Sequence, residues 1–161
     1  MERLRINLAF PHVRQLLSDP PMHTVRGLIS RGEAARLIGL ATPRLRASGV
    51  QRTTPLERER GGVRREHGRE SATCVLHHRS VPALMERAES LVALPRTYFE
   101  WPQVTRYAVG DCYPSHIDAF DLATESGRSI AGRGGQRVCT LLIYLSDCAA
   151  GGLTRFARAP E

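Results

Sequence analysis

The stretch on which the fold turns is Tyr107–Asp118, YAVGDCYPSHID. Carried on through Phe120, its last residues, SHIDAF, predict a short strand, and residues two apart on a strand point the same way. His116 and Asp118 are then predicted to project an imidazole and a carboxylate from one face. Imidazole plus carboxylate is a borderline-to-hard donor set. With a second imidazole it becomes the facial triad of two histidines and one carboxylate, which leaves three positions open for a co-substrate and O₂ and suits Fe(II). A bare His-x-Asp is more often an ordinary hydrogen-bonded pair, so the weight falls on what surrounds it.

Tyr107, Gly110, Tyr113 and His116 recur at three-residue intervals ahead of Asp118. Downstream come Gly134–Leu145, GGQRVCTLLIYL, and Gly151–Phe156, GGLTRF. The segments VTRYAV, SHIDAF, VCTLLIYL and LTRF are short, rich in β-branched and aromatic residues and separated by Gly, Asp and Ser clusters, the pattern of strands. Neither Gly134-Gly135 nor Gly151-Gly152 is followed by Gly-Lys-Ser/Thr, so the pairs read as turns between strands and not as phosphate loops.

The upstream half reads differently. Ser30 and Glu33 make an S-x-x-E capping box, and Ala34, Leu37, Ile38 and Ala41 recur on one face, predicting a helix from about Arg31 to Leu40. A second helix is opened by Ser80 and Pro82, carries Leu84, Met85, Ala88, Leu91 and Val92 as its buried stripe, and is closed by Pro95. Between them Glu57–Glu70, ERERGGVRREHGRE, has no apolar periodicity and is either a solvated loop or an arginine-rich flap over a site. Residues 1–24 are a leader, packed or frayed, in which Asp19-Pro20-Pro21 ends whatever precedes it. Helices followed by antiparallel-looking strands predict an α+β layout with helices covering one face of a sheet.

With 161 residues, 42% of them hydrophobic and 24% charged, the chain is expected to be one folded, soluble domain. Its formal net charge of +7 raises nucleic acid as a partner. Against this, every basic residue is arginine and no nucleic-acid motif with interleaved aromatics accompanies the charge, so nucleic acid is not the expected partner. Cys74, Cys112, Cys139 and Cys148 form no C-x-x-C pair and are expected to be reduced thiols in a cytoplasm. Neither a secretory signal nor a membrane-spanning apolar run is visible.

Taken in order, Y-x-x-G-x-x-Y-x-x-H-x-D, G-G-x-R-x-x-T-x-L-x-Y-L and G-G-x-T-x-F resemble the catalytic domain of the prolyl 4-hydroxylase alpha-subunit family. The likeness extends more weakly back through Arg69-Glu70-Ser71 and the capped helix, from about Val25 to Phe156, so residues 25–161 are expected to form the oxygenase domain. The resemblance implies a double-stranded β-helix, a jelly-roll barrel with supporting helices outside. It also implies Fe(II) held by His116 and Asp118, and 2-oxoglutarate held in part by the hydroxyls of Tyr107 and Thr154. Tyr113 would lie beside the iron and contact substrate, and Arg137 would lie near a peptide groove. The implied reaction hydroxylates a prolyl or related C–H site with O₂, releases succinate and CO₂, and uses ascorbate as reductant; its substrate is a prolyl-containing peptide or a small molecule.

The family pattern continues with more strands, a distal histidine that completes the triad, and a basic residue, usually lysine, that pairs the far carboxylate of 2-oxoglutarate. No histidine follows His116 and no lysine occurs, while His77-His78 is a substitute only in space. Three alternatives stay open: an oxygenase whose sequence is truncated, an inactive or peptide-binding module that keeps the groove, and a half-barrel completed by another chain or by self-association through exposed strand edges.

Overall fold

Short-range signals build the first helix. Ser30 Oγ accepts a hydrogen bond from the Glu33 amide at 3.2 Å, and Glu33 Oε2 accepts one from the Ser30 amide at 2.8 Å. This reciprocal capping box starts α1 (Arg31–Ala41) where the sequence predicts. The structure is a computed structural model that describes Leu4, residues 6–48 and residues 71–156. The arginine-rich stretch Glu57–Glu70 lies outside the described residues. The chain divides into two compact units, the first of residues 1–40, 77–102 and 141–161, the second of residues 41–76 and 103–140.

In the first unit, residues expected only as a leader form a hairpin. Strand β1 (Val13–Ser18) pairs antiparallel with β2 (Pro21–Val25), Val13 opposite Val25 and Ser18 opposite Pro21, across a cis Asp19-Pro20 turn. Proline, which has no N–H to give, is tolerated in such a turn and at a strand's first position. Helix α2 (Pro82–Val92) begins with Pro82 in its first turn and buries Met85, Ala88, Leu91 and Val92. Leu84 is only half-buried, and the N-cap residue is Val81, not Ser80. The helix ends at Ala93 in the left-handed region, φ 54°. Leu28, Leu91 and Val92 form a core against which Phe10, Val13, Val25 and Phe99 pack, so the apolar stripe of α2 lies on the hairpin. Glu33 is ion-paired with Arg87, joining α1 to α2. Arg96 folds back on Glu89, its guanidinium 2.7 Å away, and those hydrogen bonds hold the Glu89 carboxyl below the usual carboxylate range.

In the second unit, β3 (Arg46–Ala47), β4 (Ala72–Val75) and β5 (Gln103–Arg106) form an antiparallel sheet with β4 in the middle. Thr73 Oγ1 lies 2.6 Å from Ser48 Oγ and 3.3 Å from Thr105 Oγ1, a polar row across the strands. Cys74 and Leu76 are buried. A helix that the sequence pattern does not predict, α3 (Glu125–Gly134), follows; Thr124 caps it by accepting from the Gly127 amide at 3.0 Å. A Cβ at position 127 would fall 1.9 Å from the Asp121 carbonyl oxygen, so this close approach requires glycine.

The mixed α+β class stands, with the strands among the described residues lying in one two-stranded and one three-stranded sheet. The placement of the later strands is corrected. VTRYAV is a strand only as far as Arg106, and SHIDAF, VCTLLIYL and LTRF are not strands. A strand is defined by its backbone ladder. Residues 118–120 are joined to residues 136–140 through side chains instead, and much of the apolar run is exposed, including Val138, Leu142 and Tyr144. Gly134-Gly135 is likewise not a turn between strands but the end of α3, with Gly135 at φ 88°.

Candidate metal centre

After β5 the chain turns at Ala108–Asp111, where Gly110 adopts φ 90° and Asp111 Oδ2 accepts from the Ala108 amide at 2.8 Å. This turn delivers Tyr113–Asp118. The Tyr113 ring stacks on the His116 imidazole, centroids 3.8 Å apart and planes 23° from parallel. His116 Nδ1 lies 2.7 Å from the Pro114 carbonyl oxygen, and His116 Nε2 lies 3.1 Å from Asp118 Oδ1. Thr140 Oγ1 donates to Asp118 Oδ2 at 2.6 Å. Arg137 Nη1 donates to the Asp118 carbonyl at 3.1 Å, and its guanidinium lies 4.5 Å from the Phe120 ring centre. Gln136 closes the arrangement: its Oε1 accepts from the amides of Phe120 (2.7 Å) and Arg137 (2.9 Å), while its Nε2 donates to the Phe120 carbonyl (2.8 Å).

The donor geometry fits a divalent metal. A backbone carbonyl only accepts, so Nδ1 of His116 carries a proton and, in the neutral ring, Nε2 presents its lone pair. That lone pair faces a carboxylate oxygen at 3.1 Å, which is favourable only with a positive charge between the two atoms or on the ring. Ligands about 2.1 Å from a metal and at right angles to one another stand ~3 Å apart. The same spacing would suit two neighbouring ligands of one metal, and the Pro114 carbonyl would then be the outer hydrogen bond that fixes the tautomer of the histidine. Both side chains are open to solvent, His116 at 40% and Asp118 at 45% exposure.

His116, Asp118, Tyr113 and Arg137 are thus brought together in the second unit. Tyr107 belongs to the same unit and is exposed. Thr154 belongs to the first unit, where its Oγ1 accepts from the Tyr144 hydroxyl at 2.7 Å. His77 and His78 also belong to the first unit and have partners there: the Arg79 amide donates to His77 Nδ1, and His78 Nε2 is 3.1 Å from the Glu100 carbonyl. Among the described residues no group of three or more His, Cys, Asp or Glu gathers to hold a metal. Residue-type reasoning assigns no role to Gln136 or Thr140. Thr140 stands in the G-G-x-R-x-x-T motif, so a signal is present; Gln136 occupies one of its variable positions.

Among known proteins, the chain resembles the prolyl 4-hydroxylases along nearly its whole length. Prolyl 4-hydroxylase 2 of Arabidopsis thaliana is 32% identical over 151 residues, 92% of this chain and 48% of that protein. Prolyl 4-hydroxylase 1 of the same plant is 30% identical over 160 residues, 99% of this chain and 54% of that protein, and prolyl 4-hydroxylase 5 is 30% identical over 146 residues, 88% of this chain and 46% of that protein. The chain spans about half the length of these curated relatives. No family model and no solved structure matches it.

Proposed function

We propose that the chain carries part of an Fe(II)- and 2-oxoglutarate-dependent dioxygenase of the prolyl 4-hydroxylase type, acting on a prolyl or related C–H site. The observation that carries this is the His116 Nε2 to Asp118 Oδ1 approach at 3.1 Å with the imidazole tautomer set by Pro114. The named relatives support the class of reaction, and the jelly-roll barrel is proposed on the same ground. The chemistry such a centre supplies when loaded is hydroxylation of a C–H bond coupled to conversion of 2-oxoglutarate and O₂ to succinate and CO₂.

His116 and Asp118 hold the iron, Tyr113 keeps the imidazole in plane, and Tyr107 and Thr154 are assigned to 2-oxoglutarate on the resemblance alone. Arg137 is assigned to the substrate side on the same basis, although its bond to the Asp118 carbonyl also supports a role in holding that residue. Ascorbate as reductant, a prolyl peptide or small-molecule substrate, and a cytoplasmic setting complete the proposal. Among the described residues no helix is long and apolar enough to cross a membrane. Incubation with Fe(II), ascorbate and labelled 2-oxoglutarate tests the function: the expected result is succinate formation that disappears in His116→Ala. Succinate no greater than in that variant overturns catalysis by this chain.

A further inference from the structure

Resting on that proposed function, we infer that Thr140 is a positioning residue that makes Asp118 a one-oxygen metal ligand. The two carboxylate oxygens of Asp118 have different partners. Oδ1 faces His116 Nε2 at 3.1 Å, while Oδ2 accepts the Thr140 hydroxyl at 2.6 Å. A hydroxyl-to-carboxylate bond of that length is in the charge-assisted range, the stronger kind. The proton it places on Oδ2 withdraws charge from that oxygen and blocks its approach to a cation on the Oδ1 side. The carboxylate then fills one coordination position and not two, which keeps a position free for a co-substrate or for O₂.

The backbone around this bond is held from the same segment. Arg137 takes the Asp118 carbonyl and Gln136 takes both backbone groups of Phe120, so residues 136–140 brace residues 118–120 without a strand ladder. Thr140 reaches the carboxylate itself. A hydroxyl suits that position, because it donates one proton and, unlike arginine, adds no charge that would compete with the metal.

The experiment uses the whole chain and Co(II), whose visible absorption reports coordination number, in place of oxygen-sensitive iron. Thr140→Val removes the hydroxyl and keeps the shape; Thr140→Ser restores the hydroxyl; His116→Ala is the control without a site. Expected are a Co(II) dissociation constant raised about 10-fold in Thr140→Val, the scale for loss of an outer-shell partner, an altered Co(II) spectrum in that variant, and recovery of both in Thr140→Ser. Thr140 is exposed, so the fold should survive; should Thr140→Val not fold, Thr140→Ala carries the same comparison. His116-dependent binding with the same affinity and spectrum in Thr140→Val overturns the role of Thr140 and leaves the metal centre standing. Binding that is the same in His116→Ala overturns both.

Discussion

Tyr113 lies flat against His116, ring on ring at 3.8 Å, so the histidine that faces Asp118 is braced from the side as well as from its Nδ1. A stacked ring pair is worth about 0.5–1.5 kcal/mol beyond burial. If that energy holds the imidazole in its binding pose, Tyr113→Ala weakens Co(II) affinity by about 2- to 10-fold and Tyr113→Phe leaves it within a factor of ~2. Titration of the two variants side by side decides it, and equal affinities would show that the ring does not brace the histidine.

Gln136 makes the connection that a strand ladder would otherwise make. Gln136→Ala removes three hydrogen bonds at about 0.5–1.5 kcal/mol each, partly replaced by water. Amide exchange at Phe120 and Arg137 should accelerate in that variant while exchange in α2 is unchanged. Unaltered protection at Phe120 would mean that the amide is ornamental.

Glu33 links local and tertiary order. The Ser30 amide first, and then Arg87, lower its pKa from the ordinary 4.5 to about 2. A carboxyl with a depressed folded-state pKa contributes stability that is present above 4.5 and is lost as pH falls through about 2. The melting temperature of Glu33→Gln should therefore lie below that of the wild type at neutral pH, with the gap closing between pH 4.5 and about 2. A gap that stays constant across this range would remove Glu33 from the account.

Leu91 is 3% exposed and sits at the centre of the first unit's core. Leu91→Ala should cost about 2–5 kcal/mol by lost transfer energy and cavity formation. Urea unfolding monitored by far-ultraviolet circular dichroism measures it, and a loss under ~1 kcal/mol would mean that the site collapses freely or that the packing is loose.

Ala93 ends α2 at φ 54°, a conformation that an L-residue adopts at a cost and glycine does not. Ala93→Gly should stabilise the protein by about 0.5–1 kcal/mol, after the unfolded-state entropy that glycine adds. A lower melting temperature in this variant would show that the alanine methyl makes a contact worth more than the strain.

What is legible in the sequence is what is local. The S-x-x-E box and the α2 stripe depend on residues a few positions apart; the box forms as predicted, and so does the stripe at Met85, Ala88, Leu91 and Val92, with Leu84 half-buried. His116 and Asp118 also come side by side, but on an irregular segment and not on a strand. The strands expected at SHIDAF and VCTLLIYL rest on β-branched and apolar residues, whereas a strand also needs a backbone partner in register, which no single stretch encodes. Helix α3 is hidden for the opposite reason. Its sequence, ESGRSIAGRG, carries three glycines, poor helix formers, and only the Thr124 cap and the apolar Ile130 point to it. The facing of Asp118 by Thr140 spans 22 residues and is visible only in three dimensions.

The amide of Gln136 has one oxygen and one nitrogen, and each is committed: the oxygen to two N–H groups, the nitrogen to a carbonyl. Its chemical polarity is therefore fixed, and a single hydrolysis has a consequence that no loss of volume would. Turned into a carboxylate, the side chain would set a negative oxygen against the Phe120 carbonyl where a donor now stands. Ageing of one amide would then loosen the mounting of Asp118, the proposed ligand two residues before Phe120, with every atom of that carboxylate still present.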